Sequence, residues 1–243
     1  MTIVAQGIMA GKLFLIPNVI ADDTQSQTIS PQVISVLPGI TIFLAEDIRT
    51  ARRYLSSLRI YSSIDELQFH VLNKDTRETD IPLMMEPLLL GQDMGVISES
   101  GCPGVADPGA LAVKYAHSKH IRVIPLVGPS SLLLALMASG LNGQQFIFHG
   151  YLPIDAKQAA DQLKGMEKES RKKSQTQIFI ETPYRNTQLF EIMLKTLQKE
   201  TLLTVALDVT GKDEQIITQS IGQWQSKKYT WPKSPAVFLF HAS

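Results

Sequence analysis

Twelve residues, from Ser98 to Gly109, hold three glycines, two prolines and two carboxylates, Glu99 and Asp107. Glycines let backbone N–H and C=O groups approach a ligand closely. Carboxylates at such a loop can take hydroxyls or a cationic group. The loop follows an apolar run, Val96-Ile97, and leads into a helix-like ALAVKYA. Two other polar groups stand at similar places: Glu46-Asp47 with Arg49 after one apolar run, and Ser130-Ser131 after another. The loop matches neither the P-loop nor the dinucleotide fingerprint, and it holds no lysine or arginine, which argues against a triphosphate. The plainer alternative is that Asp107 caps the next helix and the glycines make turns. Ser130 and Ser131 have the same choice between capping a helix and touching a ligand.

The remaining reactive types give little. Cys102 lies between Gly101 and Pro103 with no histidine near it in sequence, the setting of a structural thiol. His70 in LQFHVLN reads first as a structural residue. The five histidines show no metal-ligand spacing, so no metal is expected. No Ser-His-Asp or HExxH pattern is visible.

The elements that must position these loops alternate in type. Residues 13–17, 41–47, 94–100 and 121–127 read as buried strands, and 51–58, 110–119 and 128–141 as helices. Such a rhythm argues for an α/β domain with a mostly parallel sheet. Continuous apolar strands agree, because parallel strands are covered on both faces. In such a sheet ligands bind beyond the carboxyl ends of the strands, where all three polar loops fall. A second unit begins near Gln144, with strands expected over 146–152, 177–182, 202–209, 214–221 and 236–242 and helices over 155–173 and 184–199. Consecutive late strands suggest a mixed sheet. The expected domains are 11–143 and 144–243.

Composition bounds the partners. The 243 residues are 44% apolar and 19% charged, with 23 basic and 23 acidic side chains. Balanced charge leaves no global footprint for nucleic acid. A basic run, Lys164, Lys168, Arg171, Lys172 and Lys173, stands out locally; it is either a solvated helix face or a contact for an RNA backbone. One cysteine excludes an intrachain disulfide and fits a reducing compartment. No stretch approaches the roughly 18 apolar residues of a membrane helix, and no signal peptide is visible, so a soluble cytoplasmic protein is expected. Met9, before Gly11-Lys12, makes the first eight residues an extension or an alternative start.

From Lys12 to the C-terminus the chain resembles the tetrapyrrole methylase superfamily of S-adenosylmethionine-dependent methyltransferases. Within it the chain is most similar to the branch that 2′-O-methylates a cytidine of small-subunit ribosomal RNA. The resemblance rests on LAEDIRTARRYL (44–55), ISESGCPGVADPG (97–109), VIPLVGPSSLLLALMASGL (123–141), FIFHGYLP (146–153) and ETPYR (181–185). It implies two α/β domains side by side, the cofactor S-adenosylmethionine in the cleft between them, and a homodimer. It further implies cofactor contacts at Pro17, Ser98, Glu99, Ser100, Gly101, Cys102, Ser130 and Ser131, with His149-Gly150 on the far wall.

The acceptor implied is RNA or the small ribosomal subunit, with a tetrapyrrole C-methyltransferase or a non-catalytic cofactor-binding paralogue as alternatives. A ribose hydroxyl is a poor nucleophile at neutral pH, so a general base within hydrogen-bond reach would help. The base candidates are Glu46, Asp47, Asp107 and His70; Arg49 and Arg185 are candidates for substrate contact, holding RNA phosphate, or for neutralising acids.

Departures from the family pattern cluster where substrate is expected. Glu99 stands where Asp is usual. The usual Pro-Ile-Gly-Asn-Leu becomes Pro17 followed by Asn-Val-Ile-Ala-Asp-Asp. A Tyr-His-Glu-His-Asn motif survives only as Phe69-His70-Val71-Leu72-Asn73. Near the end, Lys-Leu-His-Glu-Glu becomes Val-Thr-Gly-Lys-Asp-Glu over 209–214.

Overall fold

A computed structural model describes residues 10–229 and 231–243, so the segment with Met9 lies outside the described residues. The chain divides into two compact units, 1–129 and 130–243.

The first unit is a five-stranded parallel sheet with order β3-β2-β4-β1-β5. In chain order it runs β1 (Leu13–Ile16), α1 (Gln25–Thr28), α2 (Pro31–Val36), β2 (Ile42–Ala45), α3 (Ile48–Ser57), β3 (Gln68–Val71), α4 (Ile81–Met84), α5 (Glu86–Leu89), β4 (Met94–Ile97), α6 (Ala110–Ser118) and β5 (Val123–Pro125). Every residue of β2 and β4 is buried, because apolar layers close on both faces of the sheet. One layer holds Ile16, Phe43, Tyr54 and Leu55; the other holds Leu13, Leu44, Met94 and Val96. The continuous apolar runs of the sequence follow from this double covering. The strand β3 has no such run: it is an edge strand with half-exposed residues, stacked on the core through Phe69 against Phe43 at 5.5 Å.

The second unit runs α7 (Ser131–Ser139), β6 (Phe146–Tyr151), α8 (Ala156–Lys173), β7 (Thr176–Glu181), α9 (Asn186–Thr196), β8 (Leu202–Leu207), β9 (Gln215–Ser220), α10 (Ile221–Gln225) and β10 (Ala236–His241). Its sheet, ordered β6-β7-β10-β8-β9, is mixed: β6 and β7 are parallel and the other pairs antiparallel. Residues of α8, α9 and α10 close one face over Phe179, Phe238 and Phe240. The other face, with Ile178, Ala206, Val237 and Leu239, is closed by Ala135 and Leu136 of α7.

That packing moves the domain division. The sequence suggested a boundary at 143/144, with the helix of 128–141 closing the first unit. The helix instead buries its apolar side on the second sheet, and Thr218 on β9 donates to the Ser139 carbonyl at 2.8 Å. The chain therefore divides at Pro129/Ser130. A largely apolar helix such as this one shows that one side is buried, not which sheet buries it.

Candidate active site

In the first unit the loops after β1, β2 and β4 stand side by side at the carboxyl edge of the sheet, since these strands are adjacent and parallel. The residue that joins two of them is Asn18, only 2% exposed. Its backbone N–H donates to the Gly101 carbonyl at 2.9 Å. Its side-chain Nδ2 donates to the carbonyls of Ser98 and Glu99, both at 3.0 Å, and its Oδ1 accepts from the Val19 N–H. Next to it, the Tyr54 hydroxyl of α3 donates to the Pro17 carbonyl at 2.7 Å. Burial pushes that hydroxyl's pKa up, so it stays a donor. Asn18 and Tyr54 are the site residues that the sequence reading missed. A polar residue directly after a buried strand was the one available signal for Asn18.

The Gly-rich loop is held from within as well. Ser98 is buried, and its hydroxyl donates to the Ser100 and Gly101 carbonyls at 3.1 Å. Gly101 sits at φ +68°, where a side chain would be strained. Cys102 turns its thiol 3.3 Å from the Pro129 carbonyl, and burial raises its pKa, so it is no thiolate nucleophile. A Cβ at Gly128 would fall 2.1 Å from the Pro17 Cβ, so the loops after β1 and β5 abut. With Ser98 and Cys102 engaged, the loop offers the exposed side chains of Glu99 and Ser100.

The acids divide into structural and available groups. Asp47 is the N-cap of α3: its carboxylate accepts from the Thr50 N–H at 2.7 Å, which holds its pKa below the usual value. Asp107 accepts from the N–H groups of Gly104 at 2.9 Å and Gly109 at 2.7 Å, so it braces the loop it belongs to. Neither is free to act as a base without breaking local structure. His70 lies within β3, paired with Leu44 in the sheet and short of its carboxyl edge. Glu46 follows β2 directly and is half-buried, and no side-chain hydrogen bond holds it among the described residues. Burial raises its pKa first, with the charges of Glu99 and then Asp107 adding to the rise against a smaller opposing effect of Lys74. An untethered carboxylate with a raised pKa at a strand end is the arrangement a general base requires.

Beside Glu99 a cavity of about 280 Å³ opens between the loop after β1 and α3. Asn18, Asp22, Thr50, Arg53, Tyr54 and Ser57 are among its lining residues. The helix contributes Arg53 rather than Arg49, which lies one turn earlier and is outside the lining. Arg53 stands 4.0 Å from Asp22, an exposed pair that a ligand could readily displace. The exposed Glu99 and Ser100, on a loop pinned by Asn18, and the hydroxyl- and carboxylate-lined cavity fit the ribose hydroxyls and cationic centre of an adenosyl sulfonium.

In the second unit, Ser130 occupies the N-cap position of α7, but its side chain makes no capping bond, and Ser131 is the first helical residue. His149 and Gly150 form a bulge at the end of β6: the register shifts there, Gly150 has φ +69°, and the His149 ring lies 2.7 Å from Gln177 Oε1. Of the two roles open to Arg185, holding phosphate or neutralising an acid, the structure shows the second. Its guanidinium lies 3.1 Å from Glu181 Oε2 and donates to the Pro153 carbonyl at 3.1 Å and, more weakly, to that of Leu152. A cation already bound to a buried carboxylate and to backbone is a structural pin, not a free contact for phosphate.

Comparison with known proteins gives concordant results. No family model matches the chain. It is 30% identical over 199 residues to the ribosomal RNA small subunit methyltransferase I of Xylella fastidiosa (strain Temecula1), covering 82% of this chain and 70% of that protein. It is 28% identical over 234 residues to the protein of the same name from Pasteurella multocida (strain Pm70), covering 95% and 79%. Among solved structures, the methyltransferase CobJ is similar with a TM-score of 0.62 at 17% identity, covering 96% of this chain and 95% of that one. The uroporphyrin-III C-methyltransferase of Thermus thermophilus, complexed with S-adenosyl homocysteine, is similar with a TM-score of 0.57 at 14% identity, covering 95% and 97%. At such identity these two structures establish the two-unit α/β fold alone.

Proposed function

The chain belongs to the ribosomal RNA small subunit methyltransferase I family, and from that premise we propose that it methylates a ribose 2′-hydroxyl of small-subunit ribosomal RNA. It is an S-adenosylmethionine-dependent methyltransferase, and the bound cofactor supplies an electrophilic methyl group on a sulfonium. The chain's own part is to hold, orient and deprotonate. Glu99 and Ser100 hold the donor, on a loop fixed by Asn18 and by Ser98. The cavity beside Glu99 receives the donor, and the acceptor hydroxyl comes to Glu46 at the end of β2. Glu46 accepts the proton of the hydroxyl as it becomes nucleophilic. Glu46 carries the reading: it is the strand-end carboxylate left without a structural bond, and burial, with the charges of Glu99 and Asp107, raises its pKa and so makes it a stronger base. Positioning of two reactants accounts for much of the remaining catalysis.

Transfer of radiolabelled methyl from S-adenosylmethionine to undermethylated small subunits tests this. The expected product is label in one alkali-resistant RNA dinucleotide. Label confined to a tetrapyrrole, or none in RNA from protein that binds the donor, would overturn the assigned acceptor.

A homodimer also belongs to this proposal. On the second unit, α7 leaves Leu133 and Met137 exposed one turn apart, Met137 at 78%, and the edge strand β6 exposes Phe146 and Ile147. Exposed apolar side chains on a helix and on an unpaired edge strand are what such an interface would cover. Sedimentation of the parent should give a dimer, and Met137→Asp should shift it toward monomer; a monomeric parent refutes the interface. No helix among the described residues is long and apolar enough to cross a membrane. A cytoplasmic location is proposed with the RNA acceptor, as is the role of Ser130, Ser131, His149 and Gly150 as further donor contacts.

A further inference from the structure

The helix α8 presents its core side through Ala159, Leu163, Met166 and Ser170. On the opposite side lie Lys157, Lys164, Lys168 and Lys172, which recur at helical spacing along about 22 Å of axis. A single acid, Asp161, falls on that stripe, paired with Lys164 at 3.5 Å across an exposed gap. Two of the cations that the sequence grouped with them are engaged elsewhere: Arg171 donates to Ser243 and Gln198, and Lys173 pairs with Glu169. A solvated helix face usually mixes both signs; this one is nearly all positive.

A second feature lies at the N-terminal end of the same helix. Tyr184 is 85% exposed and Ile154 79% exposed. The two belong to one surface, because the guanidinium of Arg185, next to Tyr184, binds the carbonyl of Pro153, next to Ile154. Ile154 itself immediately precedes Asp155, the N-cap of α8. The buried Glu181 fixes Arg185 in turn, so the loop that presents Tyr184 is preorganised. An exposed ring at the head of a lysine stripe is an unusual use of an aromatic residue for solubility alone.

The geometry points to a binding surface for unpaired RNA: the backbone of a single-stranded segment lies along the α8 lysines and a base stacks on Tyr184. Phosphates complement the stripe, and stacking on an aromatic ring requires an unpaired base, which selects a loop or single strand over a duplex. This rests on the proposed RNA acceptor and deepens it by naming the form of RNA held outside the reacting nucleoside.

Binding of a labelled oligouridylate of about 15 nucleotides, against an RNA duplex of about the same length, tests the surface in the full-length protein. The single strand should bind more tightly. Its log affinity should fall with log salt at a slope of about −2 to −3, as expected for three to four phosphate contacts. Lys168→Glu with Lys172→Glu should weaken binding at least tenfold and reduce that slope by about 1.4. Tyr184→Ala should weaken binding by between about fivefold and 150-fold with the slope unchanged, while Tyr184→Phe keeps the affinity. Both sites are exposed, so folding is not at stake.

Unchanged affinity in the Tyr184→Ala and lysine variants, or equal binding of the duplex, overturns the surface. A parent that binds neither probe overturns it too, and leaves the stripe to an acidic protein partner. The methyl-transfer assay separates the two claims: label in RNA with indifferent variants removes the surface and keeps the acceptor. Stripe-dependent binding without label does the reverse.

Discussion

Glu46→Gln should lower the rate of methyl transfer to RNA by about a hundred- to ten-thousandfold, the usual contribution of a positioned base. Affinity for the donor should change little, because in the proposed site Glu99 and Ser100, not Glu46, hold it. The pH profile separates a base from a mere packing residue. With Glu46 as base, the parent's rate rises as pH passes upward through its pKa, which lies above the ordinary carboxylate value; the glutamine variant should lose that limb. Glu46→Asp, which keeps the charge but shortens its reach, should recover part of the rate.

Stability moves the other way, which guards against a trivial explanation. A carboxyl group whose pKa is raised on folding gives its full stabilisation below the unfolded value and loses it as pH rises through the folded one. Above its folded pKa the ionised Glu46, desolvated by burial and crowded by Glu99 and Asp107, therefore weakens the fold. Its neutral glutamine replacement should unfold no earlier than the parent. A variant that transfers methyl groups within twofold of the parent would remove Glu46 from the mechanism.

The largest effect on stability should come from Arg185→Met. The Glu181 side chain is fully buried, at 0% exposure, and its Oε2 meets only the Arg185 guanidinium; its Oε1 accepts from the Thr182 N–H at 2.7 Å. Removing the cation strands a buried charge, at a cost of about 3–5 kcal/mol. It also frees the Pro153 carbonyl and the lead-in to α8. The midpoint of urea unfolding reports this directly. Replacing both partners, Glu181→Gln with Arg185→Met, should restore most of the loss, since a pair removed together leaves no uncompensated charge. Full stability in the single Arg185→Met variant would show that solvent already screens the pair.

The same pair shows what sequence could and could not convey. ETPYR was visible as a motif, and an arginine in it suggested a contact with phosphate or with an acid. The fold turns Arg185 inward, onto a glutamate four residues earlier and a carbonyl 32 residues earlier, and leaves Tyr184 outside. Residue type announced a cation, but only packing decided what it binds.

The sequence by itself determined the strands β1, β2, β4 and β10, because a strand covered on both faces is apolar at nearly every position. It marked the Gly-rich loop as a tightly turned segment, because backbone at φ +68° requires glycine, as at Gly101. It missed β3 and the helices of four to six residues, α1, α2, α4, α5 and α10, since an edge strand and a single helical turn are too short to establish a period. Tertiary structure alone decided the rest. It set Asn18 as the clasp on a loop 80 residues away, gave α7 to the second sheet, and assigned Asp47 and Asp107 to backbone N–H groups while leaving Glu46 without one. Periodicity records that a face is buried or that the chain must turn; which groups then meet depends on contacts between distant residues, and that is where the chemistry of this site was settled.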